Sequence, residues 1–440
     1  MAAIPTPSLV AQATKILEAA TTLQKQLEQS GLQQPSFEAN GRKDWQDAVE
    51  HPKILEARSM LIDASNMMLN LALGPLDILC TQAGPTKSDV FRTLNVLGVP
   101  QAVPLEGSIS VGDLAAKVGV NPRLLQQQLR FAYLIGVFHE PQEGFVAHTS
   151  ISAKMPSLAP WLEMRLGHTF NSGVWEIPGA MKQWQDHPPP GHTQVPVSLA
   201  DWHHRSFWKI LQEDDPAGKG MEKFSLAMKA LLAAHLGSPP IAFVKGFDWD
   251  ALNGGLVIDV GGGNGHIEVN ILKEIPSGIN FLIQDLATNE VPAAETIKEH
   301  GAGDRVRFQA HDFFNSQPPE LQPKAYILSR VLHDWQDEDC AKILRNLIPA
   351  MAQHSTKLFV MERVLPDRVG DIPNHMEQLL RTQDLLMFTL FGGGERSLGQ
   401  WRALFKKADP RMEITAVRHS LLSPFSYMEI VITGSENSST

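Results

Sequence analysis

The sequence predicts an α/β protein in which a doubly wound, mostly parallel sheet follows a mainly helical N-terminal region. Beyond residue 241, short apolar runs alternate with stretches of helical periodicity, as in parallel sheets with helices on both faces. The first run, residues 256–260, leads into Gly261-Gly262-Gly263-Asn264-Gly265. A buried strand that passes through glycines into a helix is the usual cradle of a nucleotide-like ligand, because the absent side chains leave the backbone amides accessible.

Five parallel strands and a terminal hairpin give the predicted sheet seven strands. The parallel strands are expected at 256–260, 280–284, 305–309, 325–329 and 357–362. The helices between and after them are expected near 264–275, 291–300, 337–352 and 376–390. Residues 412–417 and 427–432 should pair antiparallel, because the segment between them is too short for a helical crossover. Residues 241–440 therefore form the predicted ligand-binding domain.

Residues 1–100 predict N-terminal helices with wide apolar faces. Residues 8–28 and 54–73 place apolar side chains at helical spacing, and Gly31 and Gly74-Pro75 are expected to end these helices. Such faces suit either a second subunit or the core of the same chain. We predict a homodimer formed through this segment, with packing on the same chain as the alternative.

Residues 101–240 predict a winged-helix-like segment followed by a helical lid over a substrate. Helices at 111–118 and 122–134 and a hairpin around Glu143-Gly144 form a helix-turn-helix with a wing. The stretch 155–240 is rich in large apolar side chains, which suit a pocket for a flat molecule or, individually, an ordinary core. These side chains are Trp161, Met164, Phe170, Trp175, Trp202, Phe207, Trp208, Phe224 and Met228.

Composition restricts the class of function. The formal net charge is −10, which is unfavourable for binding nucleic acid. The second helix of the helix-turn-helix carries Arg123 and Arg130 but three glutamines between them. We therefore expect this segment to be a structural scaffold rather than a DNA-binding domain. The two cysteines, Cys80 and Cys340, argue against a disulfide framework. The N-terminus lacks a signal-peptide pattern, and no uncharged run approaches the ~20 residues of a membrane span. We expect a cytoplasmic protein that binds neither nucleic acid nor membranes.

Two acidic residues follow later strands of the sheet. Asp285 ends the second strand, 24 residues after Gly261. Doubly wound folds place there the carboxylate that accepts from both ribose hydroxyls, although capping of the next helix is the alternative. Asp312-Phe313 follows the third strand, where an acceptor and an apolar ring suit adenine. The glycine spacing departs from the dinucleotide fingerprint G-x-G-x-x-G.

The fourth strand leads into Leu332-His333-Asp334-Trp335, and with this motif the chain resembles the S-adenosylmethionine-dependent O-methyltransferases of plants and fungi, the small-molecule caffeate and polyketide type. The resemblance covers roughly residues 100–435. The other motifs, in order, are residues 257–265, Gln284-Asp285-Leu286, His311-Asp312-Phe313-Phe314, Met361-Glu362-Arg363-Val364-Leu365-Pro366 and Gly392-Gly393-Gly394-Glu395-Arg396-Ser397. Their joint occurrence, rather than any single motif, carries the resemblance.

The resemblance implies a class I methyltransferase domain at 241–440 that binds S-adenosylmethionine. It implies methyl transfer to a phenol or enol hydroxyl of an aromatic or polyketide-like molecule in secondary metabolism. His333 is implied as general base, flanked by Glu362 and Glu395. The implied cofactor contacts are Gly261, Gly262, Asp285, Asp312, Phe313 and Arg330. The implied substrate contacts are Met228, Met387 and Phe391. His311 and Ser329 depart from residues that are common in the family, glycine and lysine respectively.

Acid–base chemistry agrees with His333 as the base. A phenol has a pKa of about 10 and a histidine about 6.5, so the proton moves uphill by about 3.5 units. A nearby sulfonium cation eases this step by lowering the pKa of the phenol. A carboxylate on the second ring nitrogen would steady the imidazolium. Glu362 and Glu395 are the candidates, whereas Asp334 is expected to point elsewhere. We expect no metal, and a helix-capping role is the alternative for His333.

Two other functions compete with methyl transfer. Some fungal relatives bind the cofactor but act as pericyclases or dehydratases, and such an enzyme would be expected to have lost the base. A winged-helix regulator that senses a metabolite would bind DNA and would not need His333. The presence of His333, Glu362 and Glu395 together favours methyl transfer.

Overall fold

The computed structural model describes residues 8–82, 86–184, 192–214, 219–233, 247–275, 278–419 and 425–434. They fall into two compact units. The first lies within Met1–Ser172, Trp208–His235 and Pro373–His375. The second lies within Gly173–Phe207, Leu236–Ile372 and Met376–Thr440. This division differs from the boundaries expected after residues 100 and 240, most clearly because residues 173–207 belong to the second unit.

Close packing explains why residues 173–207 join the second unit. A Cβ atom at Gly173 would lie 2.7 Å from the backbone nitrogen of Val197 and 2.9 Å from Cγ2 of Thr389, so only glycine fits there. Farther along, the rings of Trp184 and Phe388 meet edge to face with their centroids 5.2 Å apart. Helical periodicity identifies the buried face of a helix but not the domain that covers it, so the sequence could not give this boundary.

Helices dominate the first unit, and strands alternate with helices in the second. In chain order the helices are α1 (Leu9–Gln29), α2 (Pro52–Gln82), α3 (Thr86–Val96), α4 (Val99–Ala102), α5 (Val111–Val118), α6 (Pro122–Leu134), α7 (Ser150–Arg165), α8 (His168–Trp184), α9 (Pro196–Ala200), α10 (Phe207–Glu213), α11 (Gly220–Ala233), α12 (His266–Glu274), α13 (Glu290–Glu299), α14 (Asp337–Arg345), α15 (Ile348–His354), α16 (Asn374–Phe391) and α17 (Leu398–Ala408). The strands are β1 (Ile109–Ser110), β2 (Phe138–His139), β3 (Phe145–His148), β4 (Leu256–Val260), β5 (Asn280–Asp285), β6 (Val306–Ala310), β7 (Ala325–Ser329), β8 (Lys357–Leu365), β9 (Arg396–Ser397), β10 (Met412–His419) and β11 (Phe425–Ile432).

The N-terminal helices of the first unit are confirmed. The Ser8 hydroxyl caps α1 by accepting from the N–H of Ala11 at 3.1 Å, and Gly31 follows the helix with a φ of 65°. Gly74 has a φ of 70° and interrupts α2 where the sequence predicts an end. The chain then resumes a helical course at Pro75, because proline lacks an N–H and its fixed φ suits a first helical turn.

A small antiparallel sheet accompanies the predicted helix-turn-helix. Its strands lie in the order β1-β3-β2, with Ile109 opposite Val146 and Phe138 opposite His148. Helices α5 and α6 and the hairpin confirm the elements expected at 111–118, 122–134 and around Glu143-Gly144.

The large sheet of the second unit has the order β10-β11-β8-β7-β4-β5-β6. Strands β4 to β8 are parallel, and β11 runs antiparallel to both β8 and β10, as the terminal hairpin requires. The α/β fold with a doubly wound, mostly parallel sheet is thereby confirmed. The carboxyl ends of β4, β5, β7 and β8 meet along one edge, which is where open α/β sheets bind ligands.

Three details of the second unit differ from the expectation. The short strand β9 pairs in parallel with the end of β8, so the sheet has eight strands rather than seven. The helix expected at 337–352 is divided into α14 and α15, because the proline in the first turn of α15 cannot continue an N–H ladder from α14. Helix α17 was not expected, although Trp401, Leu404, Phe405 and Ala408 lie on its buried face.

Side chains from both faces of the sheet form the core of the second unit. Ile258, Val260 and Leu328 belong to one apolar cluster, and Val257 and Phe281 belong to the other. Both faces of β4 are therefore covered, which explains its continuous apolar sequence. None of the helices in the described part of the chain is long and apolar enough to cross a membrane.

Candidate active site

The glycine turn after β4 forms a narrow cradle. The N–H of Gly261 donates to the carbonyl of Gln284 at 2.8 Å, which ties the turn to the end of β5. A Cβ atom at Gly261 would lie 2.8 Å from Cγ2 of Val331, and one at Gly262 would lie 2.8 Å from Oδ2 of Asp259. Any larger residue would therefore distort the turn, so both predicted cofactor glycines are required by its geometry.

Asp285 holds the glycine turn from the neighbouring strand. Its Oδ2 accepts from the N–H of Gly263 at 2.8 Å. Its Oδ1 accepts from the N–H of Leu286 at 2.7 Å and from Nδ2 of Asn289 at 2.8 Å. A carboxylate has about four acceptor positions, so these bonds leave room on Oδ2 for one further donor. Asp285 therefore has room for one ribose hydroxyl rather than the two that the sequence analysis expected, and it caps neither of the helices that follow it.

The segment after β6 lies next to the same turn. Cε1 of Phe313 would be 3.7 Å from a Cβ atom at Gly261, and Asp312 beside it is exposed. The N–H of His311 donates to the carbonyl of Asp285 at 2.9 Å, which connects this segment to the end of β5. The structure thus brings the residues predicted to contact ribose and adenine to one place.

Arg330 extends the cradle from the end of β7. Its backbone is left-handed, with a φ of 57°, and its Nη2 lies 3.3 Å from Nε2 of His266. Nδ1 of His266 lies 2.7 Å from Oδ1 of Asn264. Burial, and then the charge of Arg330, lower the pKa of His266 to about 3, so this ring is neutral and accepts from the guanidinium. Nε of Arg330 is buried without a hydrogen-bond partner among the described residues, which suits an anionic group on a ligand.

Two further carboxyl groups lie beneath the glycine turn, and the sequence analysis did not select them. Asp259 and Glu268 are both 0% exposed, and in the described part of the chain no group outside this pair donates to their oxygens. Burial raises the pKa of both groups, and the interaction with Glu268 raises that of Asp259 further. Two such groups share a proton more readily than they ionise together. An acid inside an otherwise apolar strand was the available signal for Asp259.

His333 lies on the short 3-10 helix Leu332–Asp334, directly after β7. Its Nδ1 is 3.2 Å from Oε2 of Glu362 and 3.3 Å from Oε1 of Glu395. Glu362 is on β8 and Glu395 precedes β9, so three separate elements assemble the group. The predicted trio is therefore brought together, and the imidazole does not cap α14, whose cap residue is Gln336.

Both glutamates are anchored by the protein. Oε1 of Glu362 accepts from the N–H groups of Val331, Leu332 and His333 at 3.0, 2.9 and 3.3 Å. Oε1 of Glu395 accepts from Nη1 of Arg363 at 2.7 Å. Burial raises the pKa of Glu362, whereas His333 and Arg363 outweigh burial and lower that of Glu395.

The pKa of His333 is raised to about 9. Burial alone would lower it, but Glu362, Glu395 and Asp334 together outweigh burial by favouring the imidazolium. This pKa is closer to that of a phenol, about 10, than the pKa of an ordinary histidine is. The surroundings therefore shorten the uphill proton transfer that the sequence analysis anticipated.

Asp334 corrects one expectation. The sequence analysis placed its side chain away from the imidazole, because adjacent residues usually diverge. Instead, Oδ1 of Asp334 lies 3.4 Å from Nε2 of His333, on the side opposite the two glutamates. The tight 3-10 turn brings the two side chains together. Burial raises the pKa of Asp334 to about 7, although His333 opposes this.

Arg396 and Gly393 fix the turn that carries His333. Arg396 donates from Nη1 to the carbonyl of Leu332 at 3.0 Å and from Nη2 to that of Trp335 at 2.8 Å. A Cβ atom at Gly393 would lie 2.2 Å from the carbonyl oxygen of His333. The Gly392-Gly393-Gly394 run therefore permits a close backbone approach, and Arg396 is a positioning residue that the motif contained without an assigned role.

The predicted substrate residues are divided between the two units. Met387 and Phe391 are buried on α16, in the unit that holds His333. Met228 is on α11 in the first unit, so its predicted contact with substrate remains a prediction. Of the aromatic side chains proposed for a pocket, Phe170 and Phe207 are buried, whereas Trp175 and Trp202 are 84% and 95% exposed.

A doubly wound sheet with a glycine cradle and a buried, carboxylate-flanked histidine is the arrangement expected of enzymes that transfer a group from a nucleoside-containing donor. Residues 222–409 match the family model of the O-methyltransferase domain. O-methyltransferase aurJ of Gibberella zeae is 32% identical over 441 residues, covering 95% of this chain and 96% of aurJ.

The chain belongs to the O-methyltransferase family and is an enzyme that uses S-adenosylmethionine, which confirms the resemblance seen in the sequence. Two solved structures share its fold. OxaC in complex with SAH and oxaline has a TM-score of 0.74 at 20% identity, covering 96% of this chain and 100% of OxaC. NcsB1 from neocarzinostatin biosynthesis, bound to S-adenosylmethionine and 2-hydroxy-5-methyl naphthoic acid, has a TM-score of 0.63 at 24% identity, covering 80% and 97%.

Proposed function

We propose that this enzyme methylates a phenolic or enolic hydroxyl of an aromatic or polyketide-like small molecule, with His333 as the general base. The observation that carries the proposal is the buried imidazole whose Nδ1 lies within 3.3 Å of two carboxylates. These carboxylates fix the proton on Nδ1 and leave Nε2 to accept the proton of the acceptor hydroxyl.

The chain's own residues fit S-adenosylmethionine. Its nucleoside suits the cradle of Gly261 and Asp285, with Phe313 beside the adenine position, and its amino-acid end carries a carboxylate that suits the unpartnered Nε of Arg330. When bound, the cofactor supplies a methyl group on a positively charged sulfur. His333 is buried, with 7% of its surface exposed, so water is kept from competing with the acceptor hydroxyl for the imidazole.

The acceptor class is supported by the surroundings of the base. The ring centroid of His192 lies 4.3 Å from that of Trp335 and 5.7 Å from that of Phe391. Flat rings of this kind suit an aromatic acceptor. NcsB1 was solved with 2-hydroxy-5-methyl naphthoic acid, an aromatic molecule with a hydroxyl group, and OxaC was solved with oxaline.

The direct test is turnover with labelled S-adenosylmethionine and a panel of phenolic polyketides, with S-adenosylhomocysteine as the measured product. His333→Ala is expected to lower turnover by about 10²- to 10⁴-fold, as loss of a general base does. Its affinity for S-adenosylhomocysteine, measured by calorimetry, is expected to stay within about threefold, because the cradle is formed by other residues.

Other outcomes identify the competing functions. Isomerisation or dehydration of an acceptor without S-adenosylhomocysteine would indicate a pericyclase or dehydratase and contradict the proposal. Binding to a DNA duplex that survives moderate salt would indicate a regulator. Full turnover by His333→Ala would show that the imidazole is not the general base.

We also propose a homodimer formed through α1 and α2. These helices pack on each other, with Leu23 and Leu27 buried, so part of their apolar surface serves the chain's own core. Large apolar side chains nevertheless remain exposed on both helices, namely Leu9, Val10, Leu17, Met60, Met67, Leu69, Leu76 and Leu79. This concentration of exposed apolar side chains on two helices that pack together supports a subunit contact.

Light scattering after gel filtration tests the dimer. The wild type is expected at twice the chain mass, and Leu76→Glu with Leu79→Glu is expected to shift it toward the monomer. Leu105→Glu, at a comparably exposed leucine outside these helices, serves as the matched control and should leave the mass unchanged. A monomeric wild type would contradict the proposal.

A further inference from the structure

A cleft in the first unit has no part in the proposed reaction. Residues of α3, of α7 and of the segment between α1 and α2 line it, and its volume of about 290 Å³ is near the lower end of the range for ligand pockets. None of these residues is assigned to the cofactor, the base or the acceptor. The apolar lining residues are Phe91, Ile151, Met155, Leu158 and Leu162.

The lining residues of α7 form a stripe with a polar end and an apolar end. Ser150 and Lys154 lie near the start of the helix, and Leu158 and Leu162 lie near its end. Residues spaced by four share one face of a helix, and a rise of about 1.5 Å per residue makes the stripe about 18 Å long. A ligand that lies along this stripe would meet polar groups at one end and hydrocarbon at the other.

Positive charge is in excess around this cleft. Its lining includes the cations Arg42, Lys43 and Lys154 and no acidic residue. Asp47 pairs with Nη1 of Arg42 at 2.5 Å, whereas Oδ2 of Asp44 lies 3.9 Å from Nζ of Lys154, which is too far for a hydrogen bond. These two carboxylates therefore compensate only part of the charge of the three cations.

Two of the cations are in unfavourable surroundings without an anion. The side chain of Arg42 is 4% exposed, and its Nη2 is buried with no hydrogen bond to any described residue. Partial burial, and then the charge of Lys154, lower the pKa of Lys43. The two ammonium groups thus disfavour each other's charge, and an anion bound between them would offset this repulsion.

We propose that this cleft binds an apolar monocarboxylic acid of the fatty-acid type, with its carboxylate between Lys43 and Lys154 and its hydrocarbon chain along α7 toward Leu162. A single negative charge matches what Asp44 and Asp47 leave uncompensated, whereas a dianionic phosphate would exceed it. The site does not depend on the proposed methyl transfer, because the base and the glycine turn belong to the second unit.

Calorimetry of the full chain with three probes tests the proposal. The probes are decanoate, hexanoate, which has a shorter chain, and 1-decanol, which lacks the charge. Burial of one methylene gives about a fourfold gain in affinity, so hexanoate is expected to bind about 30- to 200-fold more weakly than decanoate. 1-Decanol is expected to bind about 10-fold more weakly, since it loses the contact with charged groups. Equal affinity for decanoate and 1-decanol, or no binding of decanoate at millimolar concentration, would overturn the proposal.

Variants locate the bound acid in this cleft. Lys154→Met retains much of the length of the side chain and removes its charge, so the affinity for decanoate should fall about 10-fold. Lys43→Met makes the same change at a more exposed side chain and provides the test if Lys154→Met does not fold. Lys298→Met, at an exposed lysine of α13 in the second unit, is the matched control and should bind decanoate as the wild type does.

The affinity of each variant for S-adenosylhomocysteine shows whether it is folded. This affinity should stay within about threefold of the wild-type value, because the glycine turn is formed by other residues. Folded lysine variants that bind decanoate as tightly as the wild type would place the acid elsewhere in the protein and overturn the proposal.

Discussion

The two ends of the candidate site differ in how their charges are compensated. At the base end, Glu362 has three backbone N–H donors and Glu395 has Arg363. At the glycine-turn end, Nε of Arg330 lies buried without a hydrogen-bond partner among the described residues, whereas Asp259 is paired with Glu268. The opposite charges at the base end lie beside one another, although Oε2 of Glu362 and Oε2 of Glu395 have no hydrogen bond among the described residues. At the glycine-turn end, the free donor of Arg330 is a charged group that a ligand would pair with.

This difference separates preorganisation from ligand binding. Buried charges that are already paired need no rearrangement when the reaction begins, so the base end acts through fixed electrostatics. Buried groups without partners are unfavourable in the free protein and gain most when a complementary ligand arrives. Variants at the base end should therefore change turnover, and variants at the other end should change cofactor affinity.

The largest effect is expected from Glu362→Gln. The amide oxygen can still accept from the three backbone N–H groups, so the turn is retained, but the negative charge that supports the imidazolium is lost. Turnover should fall by at least about 100-fold, within the range for impaired acid–base catalysis. Affinity for S-adenosylhomocysteine should change by less than about threefold. A loss of affinity as large as the loss of turnover would show that the two ends are not separable.

A smaller effect, on binding, is expected from Arg330→Met. Methionine retains the length of the side chain and removes the guanidinium. Affinity for S-adenosylhomocysteine should fall by about 10- to 100-fold, the size of a charged hydrogen bond. Affinity for 5′-methylthioadenosine, which lacks the amino-acid end, should change little and provides the control. Equal losses for the two ligands would show that Arg330 supports the fold rather than a carboxylate.

Much of this arrangement could be predicted from local pattern. The apolar run of β4 and its glycines identified the strand and the turn, and helical spacing identified α1, α5 and α6. The assembly of His333 with Glu362 and Glu395 came from the resemblance to a family, because residues on separate elements have no common sequence signal. Asp334 was misplaced since its direction depends on a 3-10 turn that is held by Gly393 and Arg396, and such a turn has no periodicity.

The buried polar groups at the other end were harder to predict. An acid such as Glu268, on a helix with His266 and Lys273, reads as an ordinary amphipathic position. Only the packed structure shows that it is 0% exposed and lies near Asp259. The same limit explains residues 173–207, whose place in the second unit depends on the contacts of Gly173.

The pH dependence of His333 sharpens the comparison with His266. In the free protein, His333 should titrate with a pKa of about 9, whereas His266 should stay neutral above pH 5 because its pKa is lowered to about 3. NMR of the two rings measures both values in one sample. Because the proposed base is the neutral imidazole, turnover should rise with pH through the pKa of His333, about tenfold per pH unit below it. A His333 midpoint near 6.5 would show that its carboxylates do not act as inferred.

The smallest effect is expected from removal of divalent metal. One atom each from His333, Glu362 and Glu395 lies within 4.8 Å of the others, a geometry that could also hold an ion. Arg363 is already paired with Oε1 of Glu395, however, and the carboxylates favour a proton on His333, so a cation at this place would lie beside a guanidinium and would compete with that proton. Exhaustive treatment with EDTA should therefore change turnover by less than about twofold. A loss of turnover that a divalent ion restores would show instead that the base end, like the glycine-turn end, is completed by a ligand.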